Sequence, residues 1–222
     1  MFRFRDRVHA GQYLAERLPR YARAADAVVL GLPRGGVVVA AEVARNLRLP
    51  LDVFLVRKLG VPGYEELAMG AIASGGVRVM NDEVLRQINI TASAIEAVAE
   101  KEERELLRRE EAYRGNRPRR DMKGLTVILI DDGLATGATM RAAVMALRRQ
   151  EPGRIVVAVP TAAQDTCDEF RAEVAEVICG ITPTPFRAVG LWYEDFPQTT
   201  DEEVQQLLKT ARRAEEEKGD ER

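Results

Sequence analysis

Residues 127–140 read Val-Ile-Leu-Ile-Asp-Asp-Gly-Leu-Ala-Thr-Gly-Ala-Thr-Met. The four branched apolar residues at its start predict a strand buried on both faces. Two adjacent carboxylates end that strand. A loop of small residues then leads into Met140, Ala143, Val144 and Leu147, whose spacing predicts one apolar face of a helix. Each part has a chemical use. Backbone N–H groups from Ala135 to Thr139, with the hydroxyls of Thr136 and Thr139, can surround a phosphate at the start of a helix, where peptide dipoles favour negative charge. Gly137 permits close backbone approach. Asp131 and Asp132 offer only acceptors, which suits paired hydroxyls or a hydrated cation and repels phosphate. Together the two halves describe a ligand with a phosphate at one end and vicinal hydroxyls beside it, as in a ribose 5-phosphate.

Outward from this stretch the same alternation recurs. Apolar runs predict strands at Ala27–Leu32, Asp52–Val56, Ala71–Met80, Ile155–Pro160 and Ala175–Cys179, with helical spacing over Val37–Leu47, Met140–Arg149 and about Gln164–Ala172. Strands alternating with helices predict an α/β fold, a mostly parallel sheet flanked by helices. In such sheets ligands sit at the carboxyl ends of strands, so the turns after Leu32, Val56 and Ile130 are where the chemistry is expected.

Composition narrows the classes. A chain of 222 residues, 46% hydrophobic, can bury a real core and allows one or two domains. With 33 basic and 35 acidic residues the net charge is −2, so any polyanion must be held locally. All but five of the 33 basic residues are arginine, which fits a GC-rich genome, adaptation to heat or anion recognition alike. No stretch approaches the ~18 apolar residues of a membrane span, and the charged, alternating start lacks a secretory core, so a cytoplasmic protein without a membrane partner is expected. Cys167 and Cys179 have no CxxC spacing and only His9 to help them, so free thiols are expected and zinc is not. His9 is assigned no role.

The stretch 127–140 resembles the phosphoribosyl diphosphate (PRPP) motif of the type I phosphoribosyltransferases, a hydrophobic strand, two acids and a TG-T loop in that order. Gly133 and Ala135 stand where the family often has a β-branched residue or threonine, and Gly133 is expected to loosen the loop. The resemblance covers about residues 27–180. It implies PRPP binding by Asp131, Asp132, Gly133, Leu134, Ala135, Thr136, Gly137, Ala138 and Thr139, with Mg²⁺ held by Asp131 and Asp132 through water. It also implies a pyrophosphate loop after the first core strand, here Leu32, Pro33, Arg34, Gly35 and Gly36, often with a strained peptide. Arg34 would add a planar fork for phosphate oxygens. A mobile loop is implied at residues 57–66, with Arg57 and Lys58 at its base on the diphosphate and Gly60 and Gly63 as hinges. Asp131, Asp132, Arg34 and Lys58 are the expected catalytic residues.

The expected organisation is a core over residues 1–180 with a helical insertion at about 82–115, then a small hood and C-terminal helix over 181–222. The insertion carries i,i+4 pairs such as Glu100/Arg104 and Glu105/Arg109, and its thin apolar stripe suits a solvated arm or a contact in a homodimer. The basic loop after it, RGNRPRRDMKG, lacks interleaved aromatics and reads as a linker, so nucleic acid is not an expected partner. Within the hood, Trp192, Tyr193 and Phe196 could stack on a planar acceptor, with Glu194 or Asp195 accepting from its N–H groups. The same aromatics could instead pack the tail onto the core. Thr200 to Glu203 forms a capping box for a helix faced by Val204, Leu207, Leu208 and Ala211, and the final AEEEKGDER is expected to fray. The resemblance implies transfer of ribose 5-phosphate from PRPP to a nitrogen nucleophile, a nucleobase first, with release of pyrophosphate. The rival is a PRPP-sensing protein without transfer. A serine hydrolase is excluded by the missing GxSxG.

Overall fold

The computed structural model describes residues 2–88, 90–115 and 118–220. In chain order its elements are α1 (Arg7–Ala15), β1 (Ala27–Gly31), α2 (Gly35–Leu47), β2 (Leu51–Val53), β3 (Val56–Val61), β4 (Tyr64–Ala73), β5 (Val77–Met80), α3 (Asp82–Gln87) and α4 (Ala92–Arg114). They continue with β6 (Thr126–Ile130), α5 (Ala138–Arg148), β7 (Arg154–Thr161), α6 (Gln164–Glu173), β8 (Glu176–Ile181) and α7 (Asp201–Asp220). These fall into two units. One holds the chain up to Val53, Met122–Thr136 and the chain from Pro152 on; the other holds Phe54–Asp121 and Gly137–Glu151.

The first unit is a five-stranded, wholly parallel sheet in the order β2-β1-β6-β7-β8 flanked by helices, the expected fold class. The central strands are apolar, rich in Val and Ile, and buried beyond the first residue of β6 and β7, as a sheet covered on both faces requires. β1 pairs with β6 from Ala27/Thr126 to Gly31/Ile130, so the ends of these two strands lie side by side. The chain leaves β1 towards β2 on one side while β6 lies on the other, which makes the β1/β6 edge the switch point where a crevice opens. α1 packs on α2 and β7, α6 on β8, and α7 on α2 and β2. The capping box forms as expected: the Thr200 hydroxyl accepts from the Glu203 N–H at 3.1 Å, and the Glu203 carboxylate accepts from the Thr200 N–H at 2.7 Å. Of the expected frayed tail, α7 runs on to Asp220, while Glu221 and Arg222 lie outside the described residues.

The hood segment belongs to this unit. Phe4 and Tyr193 form a parallel bridge, and the Phe4, Tyr193, Tyr13 and Phe196 rings cluster between the two chain ends. Cys167 of α6 and Cys179 of β8 are joined in a disulfide, with Cα atoms 6.7 Å apart, which corrects the expectation of free thiols. The connection at Val174 turns the chain straight from helix to strand, so residues twelve apart in sequence meet across the α6–β8 packing.

The second unit departs further from expectation. β3, β4 and β5 form a separate antiparallel sheet. The run Ala71–Met80 is therefore not a strand of the parallel sheet; it bends at Gly75 and Gly76, both at positive φ, and returns as β5. The segment 57–66 is drawn into strand pairing as a β-hairpin turning at Pro62-Gly63, with its register broken beside Gly60. The helical stretch from Asp82 is two helices, each with its own side-chain cap: Asn81 for α3 and Thr91 for α4. α4 is no free arm. It packs on β3 and β4, burying Ala99, Leu106 and Tyr113, while Glu105 takes both Arg108 and Arg109 and its carboxyl is held down at about 2 by those hydrogen bonds. Asn116 and Arg117 of the basic loop lie outside the described residues, and Arg119 grips Glu110 through two hydrogen bonds of 3.0 and 2.7 Å.

Candidate active site

In the first unit the two turns at the β1/β6 edge are packed into one another. Leu32 donates its N–H to the Ile130 carbonyl at 2.8 Å and is buried. The Pro33–Arg34 peptide is cis, and Arg34 stands at the N-cap of α2, its guanidinium 3.9 Å from the Asp201 carboxylate. Gly35 and Gly36 open α2 against the two acids. A methyl group on Gly36 would lie 2.8 Å from Asp131 Cα and 2.9 Å from its Oδ1, and one on Gly35 would collide with Asp132 Oδ2. Only glycine lets the helix N-terminus come this close to the carboxylates.

The acids themselves differ. Asp131 Oδ1 accepts the N–H of Asp132 at 2.8 Å, and among the described residues its other oxygen has no hydrogen-bond partner. Asp132 Oδ2 accepts Arg7 Nε at 2.8 Å, and the Tyr193 hydroxyl donates to the Asp132 carbonyl at 2.5 Å. Loss of water raises the Asp131 carboxyl well above its ordinary range, with the neighbouring Asp132 charge adding to it. Burial raises Asp132 as well, opposed by Arg7. Desolvation beside these carboxylates pushes the Tyr193 phenol up, so it stays a donor.

The loop that follows is pinned from behind. Leu134 donates to the Thr161 carbonyl at 2.9 Å and accepts from Ala163, and the Thr166 hydroxyl donates to the Ala135 carbonyl at 2.7 Å. Ala135 and Thr136 remain exposed. Gly133 carries no sign of looseness, since a methyl group there would collide with Val189. The glycine tightens the contact between loop and hood rather than relaxing the loop.

Other expected residues lie in the second unit. Gly137, at φ 72°, precedes α5, and Ala138 and Thr139 open it with no side-chain cap. Arg57 and Lys58 stand in β3, where Arg57 is bound by Glu102 at 2.5 and 2.7 Å. The hood aromatics turn inward. Trp192 and Tyr193 are 5% and 3% exposed, Trp192 stacks on Phe186, and Phe196 lies under the Arg7 guanidinium at 3.8 Å. Their rings pack the C-terminal segment onto the core, the second of the two readings the sequence allowed for these aromatics. Asp195 is exposed, and its N–H donates to the Arg5 carbonyl.

Sequence reading missed Arg7, Thr166 and Val189. Arg7 follows Phe4 at the spacing of one helical turn, but the charged N-terminal segment offers no local pattern that points at an acid 125 residues away.

Residues 6–192 match the phosphoribosyl transferase domain family. Two Mycobacterium tuberculosis proteins, from strains CDC 1551 and H37Rv and named only provisionally as phosphoribosyl transferases, are 48% identical over 210 residues, covering 95% of this chain and 47% of theirs. The chain thus spans about half the length of these curated relatives. The crystal structure of TT1426 from Thermus thermophilus superposes with a TM-score of 0.85 at 47% identity, over 93% of this chain and 98% of that one. The domain match and the parallel sheet agree, and the chain belongs to the phosphoribosyl transferase family.

Proposed function

We propose that the protein transfers the ribose 5-phosphate of PRPP to a small-molecule nitrogen nucleophile, a nucleobase first, with release of pyrophosphate and with Mg²⁺ as its cofactor. The observation that carries this reading is the packing of the Pro33–Gly36 turn directly against Asp131 and Asp132 at the sheet's switch point. Anion-binding amides and acceptor-only carboxylates then meet at one place, as a sugar phosphate requires.

Asp131 supports a cation at this site, because it has a carboxylate oxygen with no hydrogen-bond partner among the described residues, in a setting that resists an uncompensated charge. Mg²⁺ keeps several waters and uses one or two carboxylates plus substrate oxygens, which matches this pair. When bound, it would neutralise the diphosphate and stabilise the departing pyrophosphate. The chain's own residues do the rest. The α2 N-terminus, opened by Gly35 and Gly36, receives anionic oxygens, and Arg34 beside it adds a guanidinium. Asp131 and the loop from Gly133 to Thr136 orient the sugar and its phosphate. Catalysis then rests on alignment of the nucleophile with C1 and on stabilising the leaving group, with an oxocarbenium-like transition state as in glycoside cleavage.

Among the described residues no helix is long and apolar enough to cross a membrane. The test is a screen of nucleobases and small amines for PRPP- and Mg²⁺-dependent pyrophosphate release. Release with one acceptor supports the assignment. PRPP binding without release from any acceptor replaces it with the sensing role.

A further inference from the structure

By sequence Asp131 and Asp132 are equivalent; their surroundings make them different. Arg7, in the first turn of α1, is 8% exposed and makes three attachments. Its Nε donates to Asp132 Oδ2 at 2.8 Å, one terminal nitrogen donates to the Pro197 carbonyl at 2.7 Å, and the guanidinium lies 3.8 Å from the centre of the Phe196 ring. Two of these partners belong to the C-terminal segment. That segment is itself laced to the N-terminus, because Phe4 donates to the Trp192 carbonyl, Glu194 to that of Phe4 and Asp195 to that of Arg5. The Tyr193 hydroxyl, from the same segment, holds the main-chain carbonyl of Asp132.

We propose that Arg7 is a positioning residue that ties Asp132 to the C-terminal segment, so that the acid pair keeps the geometry it presents to the ligand only while that segment is seated. The proposal rests on the functional reading above only in naming that ligand as PRPP. Three features support it. Asp132 Oδ2 is taken up by a part-buried, directional, charge-assisted bond that Asp131 lacks, while each acid keeps one oxygen without a hydrogen-bond partner among the described residues. Arg7 also sits where a methyl group on Gly35 would meet its Nε at 2.7 Å, so the same guanidinium backs the anion turn. Finally, only a planar fork can serve a carboxylate, a carbonyl and an aromatic face at once; a lysine ammonium is a point donor. A ligand that orders Asp131 and Asp132 must therefore also order residues 193–197, and loosening that segment must loosen the acid pair.

The test compares wild type with Arg7→Met and Arg7→Lys, each also in an Asp132→Asn background. PRPP affinity is measured with Mg²⁺ by calorimetry, and hydrogen exchange is followed over residues 193–199. Arg7→Met is expected to weaken PRPP about ten- to a hundredfold, the range seen when a residue supporting a ligating group is removed. Arg7→Lys should fall between it and wild type, and exchange at 193–199 should rise in both. In the Asp132→Asn background the further loss on Arg7→Met should shrink to about twofold, because coupled residues are non-additive. An arginine that merely supports the fold would lower stability yet leave the affinity of the folded fraction unchanged in Arg7→Lys, and that result overturns the proposal. Full additivity of the two substitutions overturns it as well. If wild type binds no PRPP, the functional reading fails on its own, and the clamp is then judged by exchange: unchanged protection at 193–199 in Arg7→Lys refutes it, and faster exchange there supports it.

Discussion

Replacing Gly133 by alanine tests whether the C-terminal segment is seated on the loop that follows β6. Its φ lies outside the left-handed region, so alanine meets no backbone penalty and the cost is steric. The new methyl group would collide with Val189 Cγ1 and stand 2.8 and 3.1 Å from Cγ2 and Cβ, which are backed by the Val189–Trp192 turn. Overpacking of this kind costs about 1–3 kcal/mol. In a chain of this size each kcal/mol moves the melting temperature by about 2–4 °C, so a fall of about 3–10 °C is expected. Val189→Ala alone should cost about 1 kcal/mol, since Val189 is only half-buried. Combined, the two changes should not add, because the alanine at 133 occupies the volume that Val189 gives up, and a coupling of about 1–2 kcal/mol should return. Urea denaturation of the four proteins measures the coupling directly. Additive losses would show that loop and hood do not bear on each other, and the tight seat at Gly133 would have to be abandoned.

Asp131→Asn should raise the stability of the ligand-free protein at neutral pH, since a carboxyl whose folded pKa is raised favours folding when protonated and loses that contribution as pH rises through the folded value. The gain should vanish as pH falls towards 4, where wild type carries the proton itself; a pH-independent difference in melting temperature would refute the cause given. Reduction of the Cys167–Cys179 bond, or Cys179→Ser, should cost about 2–4 kcal/mol and lower the melting temperature by about 5–10 °C, with two thiols per chain appearing only after reductant in a labelling assay. Trp192→Phe removes a buried indole N–H that has no hydrogen-bond partner among the described residues while keeping the stacking on Phe186, so stability should hold or rise and acceptor KM should not move; a raised KM alone would restore Trp192 to the acceptor site. Removing Mg²⁺ with a chelator should weaken PRPP at least about a hundredfold, or ~2.7 kcal/mol, and an unchanged affinity would remove the cation from the site.

How much of this was legible in sequence depends on whether a neighbour in sequence or a neighbour in space decides each feature. Val127–Met140 could be read because the strand, the acids and the helix entry are consecutive, and each imposes its own local signature. The same holds for the Thr200–Glu203 capping box. Ala71–Met80 misled because an apolar run with two glycines reads alike as a continuous strand and as a hairpin; positive φ at Gly75 and Gly76 settles it, and no residue spacing reports that. The 57–66 segment misled for the opposite reason, since polar and glycine-rich composition hid strand pairing set by β4. Arg7, Val189 and Thr166 could not be found at all, because their partners lie 125, 56 and 31 residues away and only the closed parallel sheet brings them together.

The assembled first unit also changes what a net charge of −2 means for the phosphate binding proposed above. The cations nearest its two turns do not stand free to attract an anion. Arg7 is bound to Asp132 and Arg34 faces Asp201, so with Asp131 the site sets two guanidinium groups against three carboxylates. Arginines scattered over the surface do not alter that balance, because charges beyond about 8–10 Å are screened at physiological salt. A polyanion entering here gains from the backbone amides at the α2 N-terminus, and it must offset the acids with a cation of its own. On the function proposed above, the acid pair and the amide turn would select an anion that arrives with a divalent ion and hydroxyls over inorganic phosphate alone, a selectivity set by local charge deficit, to which the arginine-rich composition would contribute through the two arginines whose partners fix their place.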